Sequence, residues 1–116
     1  MEYSVDKTLT DILSAICEIE DFFATRPLRF DFYVADICLK RAVERNITII
    51  GEAMNRLLKI VPEIQVTAAR SIVDTRNYVI HGYDSVTDEI MWAIVVRHLP
   101  LLKQEVMQLL ESDKSY

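Results

Sequence analysis

The sequence predicts an all-α fold: an up-and-down bundle of four or five helices, the last one kinked near Pro100. Three observations carry this. Apolar residues recur at steps of three and four nearly throughout the chain. Nothing alternates with period two, so no strand is expected. Pro27, Pro62, Gly82 and Pro100 fall where those helical runs would stop or bend. With 116 residues, 51% of them hydrophobic, residues 1–116 read as one helical domain able to build a core without staples.

The first helix is expected over about residues 5–24, from Val5, Leu9, Ile12, Ile16, Ile19 and Phe23. Pro27 ends it, because it disfavours helix at Arg26 and supplies no amide donor. A second helix should start near Asp31, as N-cap, and run to Ile60 with Val34, Ile37, Ala42, Ile49, Ala53, Leu57 and Ile60 on its apolar side. Roughly 30 residues at ~1.5 Å each make it ~45 Å long, so a bend is expected. Gly51 lies inside it, at a cost of ~1 kcal/mol relative to Ala, and can let another backbone come close. The third helix is expected over about Thr67–Ile80, with Gly82 as its stop. Thr87 is the expected N-cap of the last, with Asp88 and Glu89 favouring its dipole. That helix carries Ile90, Trp92, Ile94, Val95, Leu99, Leu102, Val106 and Leu110.

Charge narrows the function classes. The net charge of −5 counts against generic nucleic-acid affinity. It is unevenly spread: residues 1–25 hold one Lys and six acids, whereas residues 26–59 hold seven basic side chains and four acids. Lys40, Arg41 and Arg45 belong to that middle block, a candidate local positive face, against the plainer reading of a solvated helix surface. Two cysteines make no disulfide framework, so a reducing cytoplasm is the expected compartment. No run of 18 apolar residues is present, no membrane contact is expected, and the acidic N-terminus does not read as a signal peptide. His98 stands without Cys or acids around it, so no metal or other cofactor is expected.

The segment Asp74–Tyr83 gathers Arg, Asn, His and Tyr near a predicted helix end. Asn77 and His81 are four apart and share one helix face, so Asn77 can hold one tautomer of His81. Arg76 precedes His81 by five residues, about 140° away on an ideal helix, so the two converge only if the helix loosens, the stem swings across, or a second chain contributes. Imidazole takes and gives protons near neutral pH, and a guanidinium grips phosphate oxygens. RNA carries its own nucleophile, the 2′-hydroxyl, so neither a Ser or Cys nucleophile nor a metal is needed. The competing reading is a dipole-stabilised histidine at a helix C-terminus.

Arg76-Asn77-Tyr78-Val79-Ile80-His81-Gly82-Tyr83 is an R-x4-H-x-Y motif. It resembles the signature of HEPN-domain ribonucleases, in particular the HepT-like toxins of prokaryotic toxin–antitoxin pairs. Ile50-Gly51-Glu52-Ala53 resembles the IGEA stretch of that family, and Trp92 with Leu99-Pro100-Leu101-Leu102 its W…LPxL ending. The resemblance covers about residues 40–107. It implies a HEPN-like bundle that forms a homodimer with both motifs lining one cleft. It implies metal-independent cleavage of RNA, tRNA or mRNA, with Arg76 and His81 catalytic and Asn77 supporting. It also implies a type VII-like toxin–antitoxin system whose MntA-like nucleotidyltransferase antitoxin AMPylates Tyr83, the added phosphate ester closing the cleft.

Glu52 is either a buried acid that orients the motif through an Arg such as Arg76, or a surface residue. Cys17 and Cys38 read as small core residues. Trp92, Phe22, Phe23 and Tyr33 read as core or dimer contacts rather than base-stacking platforms. Two rival functions stand beside the nuclease: a non-catalytic docking module for a nucleotidyltransferase, and a purely structural helical dimer.

Overall fold

The computed structural model describes residues 3–64, 66 and 88–114, and every described element is helical. The expected third helix, the Gly82 stop and the Thr87 cap lie outside the described residues. The elements are α1 (Tyr3–Phe22), α2 (Phe30–Ala35), α3 (Ile37–Ile60), α4 (Asp88–Ala93), a π-helical turn (Ile94–His98) and α5 (Leu99–Lys114). α1 packs along α3 and against α5, and α2 folds back on α3. Between them lies a core of Leu9, Ile12, Ile16 and Ile19 from α1, Val43, Ile47, Ile50, Met54 and Leu57 from α3, and Met91, Ile94, Leu99, Leu102 and Val106 from the C-terminal run.

α1 ends at Phe22, where the Arg26 guanidinium donates to the Phe22 carbonyl at 2.7 Å and satisfies one of the orphan acceptors of the last turn. The expected long second helix is broken, not bent. Asp36 is extended (φ −107°, ψ 96°), and its carboxylate accepts from the Leu39 amide at 3.0 Å, which makes it the N-cap of α3. Asp31 instead sits in the first turn of α2, whose N-cap, Arg29, makes no side-chain cap bond. Arg26 reaches Asp36 as well, at 3.6 Å, tying the end of α1 to the start of α3. The break turns α2 so that it buries Tyr33, and Val34 and Ile37 are exposed, as is Ile60 at the other end of α3. Cys38 is exposed and Cys17 half-buried, so the core reading fails for Cys38, which lies in the first turn of α3 on its solvent side.

Asn46 is the one buried amide among the described residues. It sits in the apolar face of α3, between Val43 and Ile47, and donates to the Ala15 carbonyl at 3.1 Å and to Glu18 Oε1 at 2.8 Å. A buried amide satisfied only at one relative height fixes the register of α1 on α3.

The expected kink at Pro100 takes the form of the π-turn, in which the Leu99 amide donates to the Ile94 carbonyl, five residues back. Two causes converge. Pro100 has no amide to give Val96, and its ring crowds that carbonyl. Met91, Val95 and Leu99 are all buried at two successive four-residue steps, which overruns two ideal α-turns by about 80°. A wide turn absorbs the surplus and keeps Leu102 and Val106 facing the core. Ile90, expected on the apolar side, is exposed.

Candidate functional site

Arg76, Asn77, His81 and Tyr83 lie outside the described residues. The described elements that flank the motif in sequence are α3 before it and α4 after it. Within α3, Gly51 and Ala53 are buried while Glu52 between them is exposed. The surface reading of Glu52 therefore holds over the buried one. A helix alternating this way points Gly51 inward and leaves the carboxylate in water. Its pairing with Arg76 is outside the described residues.

Asp88, the first residue of α4, is anchored to α3 by Lys40, with Nζ 3.0 Å from Oδ1 and 3.2 Å from Oδ2. The pair is shielded, with 17% of the Lys40 side chain exposed, so this ammonium is committed to holding α4 in place. Arg41 meets Glu44 one turn along α3, at 3.0 and 3.2 Å. Arg45 is exposed and takes part in none of the ion pairs among the described residues. Arg56 and Lys59 follow on the same face and are also exposed. Of the three basic candidates, two are thus held by carboxylates and one stands open.

Behind Asp88 lies an aromatic corner. Trp92 stacks obliquely on Tyr33 (centroids 5.2 Å, 35°) and meets Phe23 (5.9 Å, 67°) and Phe30 (6.1 Å, 61°) edge to face. Phe22 packs against the same core, so all four expected aromatics take part in packing, Trp92 while also lining a surface cleft. The Tyr33 hydroxyl is buried with no hydrogen-bond partner among the described residues. Burial, then the nearby Glu44 and Asp88 carboxylates, push its pKa well above the ordinary phenol value, with Arg41 opposing.

Nothing in the sequence pointed to the Lys40–Asp88 clamp, which spans 48 residues, and Pro100 pointed to a kink but not to a π-turn bearing Arg97. Asn46 left a signal: an amide inside an apolar stripe. No group of three or more His, Cys, Asp or Glu able to hold a metal is present among the described residues. No described helix is long and apolar enough to cross a membrane.

Comparison with known proteins identifies the family. The "Probable ribonuclease HepT" of Thermococcus cleftensis is 35% identical to this chain, over 89% of this chain and 93% of its own. The "Putative RNase TTE0752" of Caldanaerobacter subterraneus is 32% identical, over 75% of this chain and 79% of its own. The "Putative RNase MJ0127" of Methanocaldococcus jannaschii is 29% identical, over 89% and 84%. No solved structure matches the chain. The family model described as "Ribonuclease HepT-like" matches residues 12–109, a span that takes in α3, the R-x4-H-x-Y motif and the π-turn, and the chain belongs to that HepT-like ribonuclease family.

Proposed function

We propose that this protein is a metal-independent endoribonuclease that acts as a toxin, with Arg76 and His81 as its catalytic residues. The observation that carries the reading is the family match across residues 12–109, which contains R-x4-H-x-Y intact. His81 accepts the proton of a ribose 2′-hydroxyl as that oxygen bonds to the neighbouring phosphorus. The bond from phosphorus to the 5′-oxygen breaks, and that oxygen leaves with a proton from an imidazolium. The products are a 2′,3′-cyclic phosphate and a free 5′-hydroxyl. Arg76 holds the phosphate oxygens as their charge grows, and Asn77 fixes the His81 tautomer. A homodimer brings two such pairs to one cleft, which answers the ~140° separation of Arg76 and His81 on a single helix.

Of the basic residues proposed to hold RNA, Arg45 is the readiest. Lys40 and Arg41 must first give up Asp88 and Glu44. The proposed restraint is a cognate nucleotidyltransferase that AMPylates Tyr83, placing a negative phosphate ester beside His81, and the proposed compartment is the cytoplasm. The acidic balance of the chain, −5, favours a second reading: a docking module for that nucleotidyltransferase with no catalysis of its own.

Purified protein should cut RNA in the presence of a chelator, and Arg76→Ala and His81→Ala should each abolish cleavage and growth arrest with unchanged circular dichroism. Full toxicity in both variants overturns the assignment. Tight binding to the nucleotidyltransferase with no cleavage of any RNA selects the docking module. An AMP-sized mass increase lost in Tyr83→Phe tests the modification.

A further inference from the structure

A cleft of about 420 Å³ opens beside the π-turn, lined by Phe30, Glu89, Trp92, Ala93, Val96 and Arg97. That volume is in the range of small-ligand sites. Phe30 and Trp92 are half-buried and both line the cleft. Both rings are braced: they meet at 61°, and Trp92 rests on Phe23 and Tyr33 behind. Arg97 and Glu89 flank them, both exposed, and neither takes part in the ion pairs among the described residues. Arg97 is presented by the π-turn, an irregularity that recurs at functional sites. Braced aromatic surface, an uncommitted guanidinium and an uncommitted carboxylate in one cleft match the three parts of a nucleotide: base plane, phosphate and base edge.

We propose that this cleft is a nucleotide subsite, which takes one nucleotide of the RNA chain at a position removed from the cleaved bond. The base packs on Phe30 and Trp92, and its phosphate sits on Arg97. Glu89 accepts from an exocyclic amine, which favours cytosine, adenine or guanine over uracil. Glu89 follows Tyr83 by six positions, so their Cα atoms are at most ~22 Å apart, and one RNA strand can serve both places. The proposal rests on the ribonuclease reading for its ligand, but not for its test.

Trp92 is the chain's only tryptophan and therefore reports on the cleft directly. Full-length protein carrying His81→Ala, which cannot cut, is titrated with oligocytidylate, oligouridylate and inorganic phosphate. Oligocytidylate should change Trp92 fluorescence saturably, oligouridylate should bind several-fold more weakly, and phosphate alone should change nothing. Adding Arg97→Glu should abolish the response, and Glu89→Gln should erase the cytosine preference. With His81 intact, Arg97→Glu should raise KM tenfold or more and leave kcat nearly unchanged. Matching thermal melts establish that these exposed variants fold. If wild-type protein cuts RNA and both Arg97→Glu and Phe30→Ala cut with unchanged KM, the subsite is overturned and the nuclease reading survives. If the fluorescence response appears as described but no RNA is cut, the subsite stands and the nuclease reading falls. A flat response to every RNA overturns the subsite.

Discussion

α1 is gripped on two sides, and the two seams are built differently. Toward α3 it is sealed: Leu9, Ile12, Ile16 and Ile19 interleave with Val43, Ile47, Ile50 and Met54, all essentially inaccessible, and Asn46 locks the height. Toward the π-turn and α5 it is not. A hollow of about 300 Å³ remains between Ile16, Ile19, Phe23 and Leu28 on one side and Val95, Val96, Leu99 and Pro100 on the other. An exposed ion pair bridges that seam, Lys103 to Glu20 at 2.9 Å, which holds the Lys103 pKa up through its hydrogen bond yet remains in water. The closed seam therefore supplies stability and register. The open one lies beside the irregular turn that presents Arg97, and its looseness follows from fitting a proline and a surplus residue into one helix.

The largest effect should come from breaking the closed seam. Ile47→Ala removes a side chain with no exposed surface and should cost about 2–5 kcal/mol in chemical denaturation, because packed helices cannot collapse into the gap. Loss under ~1 kcal/mol would mean that the seam is no tighter than its neighbour. Asn46→Ala comes next. It removes two hydrogen bonds, one to a carboxylate, and should cost about 1–3 kcal/mol, with broadened side-chain NMR signals as α1 gains freedom to slide.

The two seams were not equally legible in the sequence. The closed one was readable because helical spacing reports burial directly: Leu9, Ile12, Ile16 and Ile19 all face the core as their steps predict. What spacing cannot report is where a helix breaks when both halves keep the same pattern. Val34 and Ile37 fit the apolar stripe of one long helix, and a single Asp36 cap turns them outward. Pro100 announced an irregularity but not its form, since a kink, a split and a π-turn all satisfy a missing amide. The motif proposed as catalytic was legible from its residue types and, more specifically, by resemblance, because a five-residue spacing sets Arg76 and His81 about 140° apart on an ideal helix. The Lys40–Asp88 pair, 48 residues apart, follows only from the tertiary fold.

If the open seam is as loose as its hollow implies, it should accept added bulk. Val96→Leu adds one methylene at a half-buried position lining the hollow, and should leave stability within about 1 kcal/mol of wild type, on either side. The same enlargement at Val43, fully buried in the closed seam, should cost about 1–3 kcal/mol. Equal losses at the two positions, measured by urea unfolding, would erase the distinction between them.

The smallest effect at neutral pH should belong to Tyr33, at the aromatic corner that joins both regions. Its ring is fully buried, but its hydroxyl has no partner among the described residues, so Tyr33→Phe removes no bond seen there and should change stability by less than ~0.5 kcal/mol at pH 7. A loss above ~1 kcal/mol would place a partner from outside the described residues on that hydroxyl. The pH dependence separates the cases further. Burial and the Glu44 and Asp88 carboxylates raise the folded-state pKa above the ordinary 10.0, so the native chain keeps its proton where the unfolded chain has lost it. The unfolded state then binds fewer protons, and stability falls as pH rises above about 10, by up to ~1.4 kcal/mol per pH unit from this group. Below that pH the group contributes no slope. Lysines titrate in the same window, so the quantity to measure is the difference between wild type and Tyr33→Phe from pH 8 to 11.5. The variant should be level with wild type at the low end and gain on it steadily above pH 10. Parallel curves would mean that the phenol ionises as freely in the folded protein as in the unfolded one, and that the corner behind Asp88 is wet.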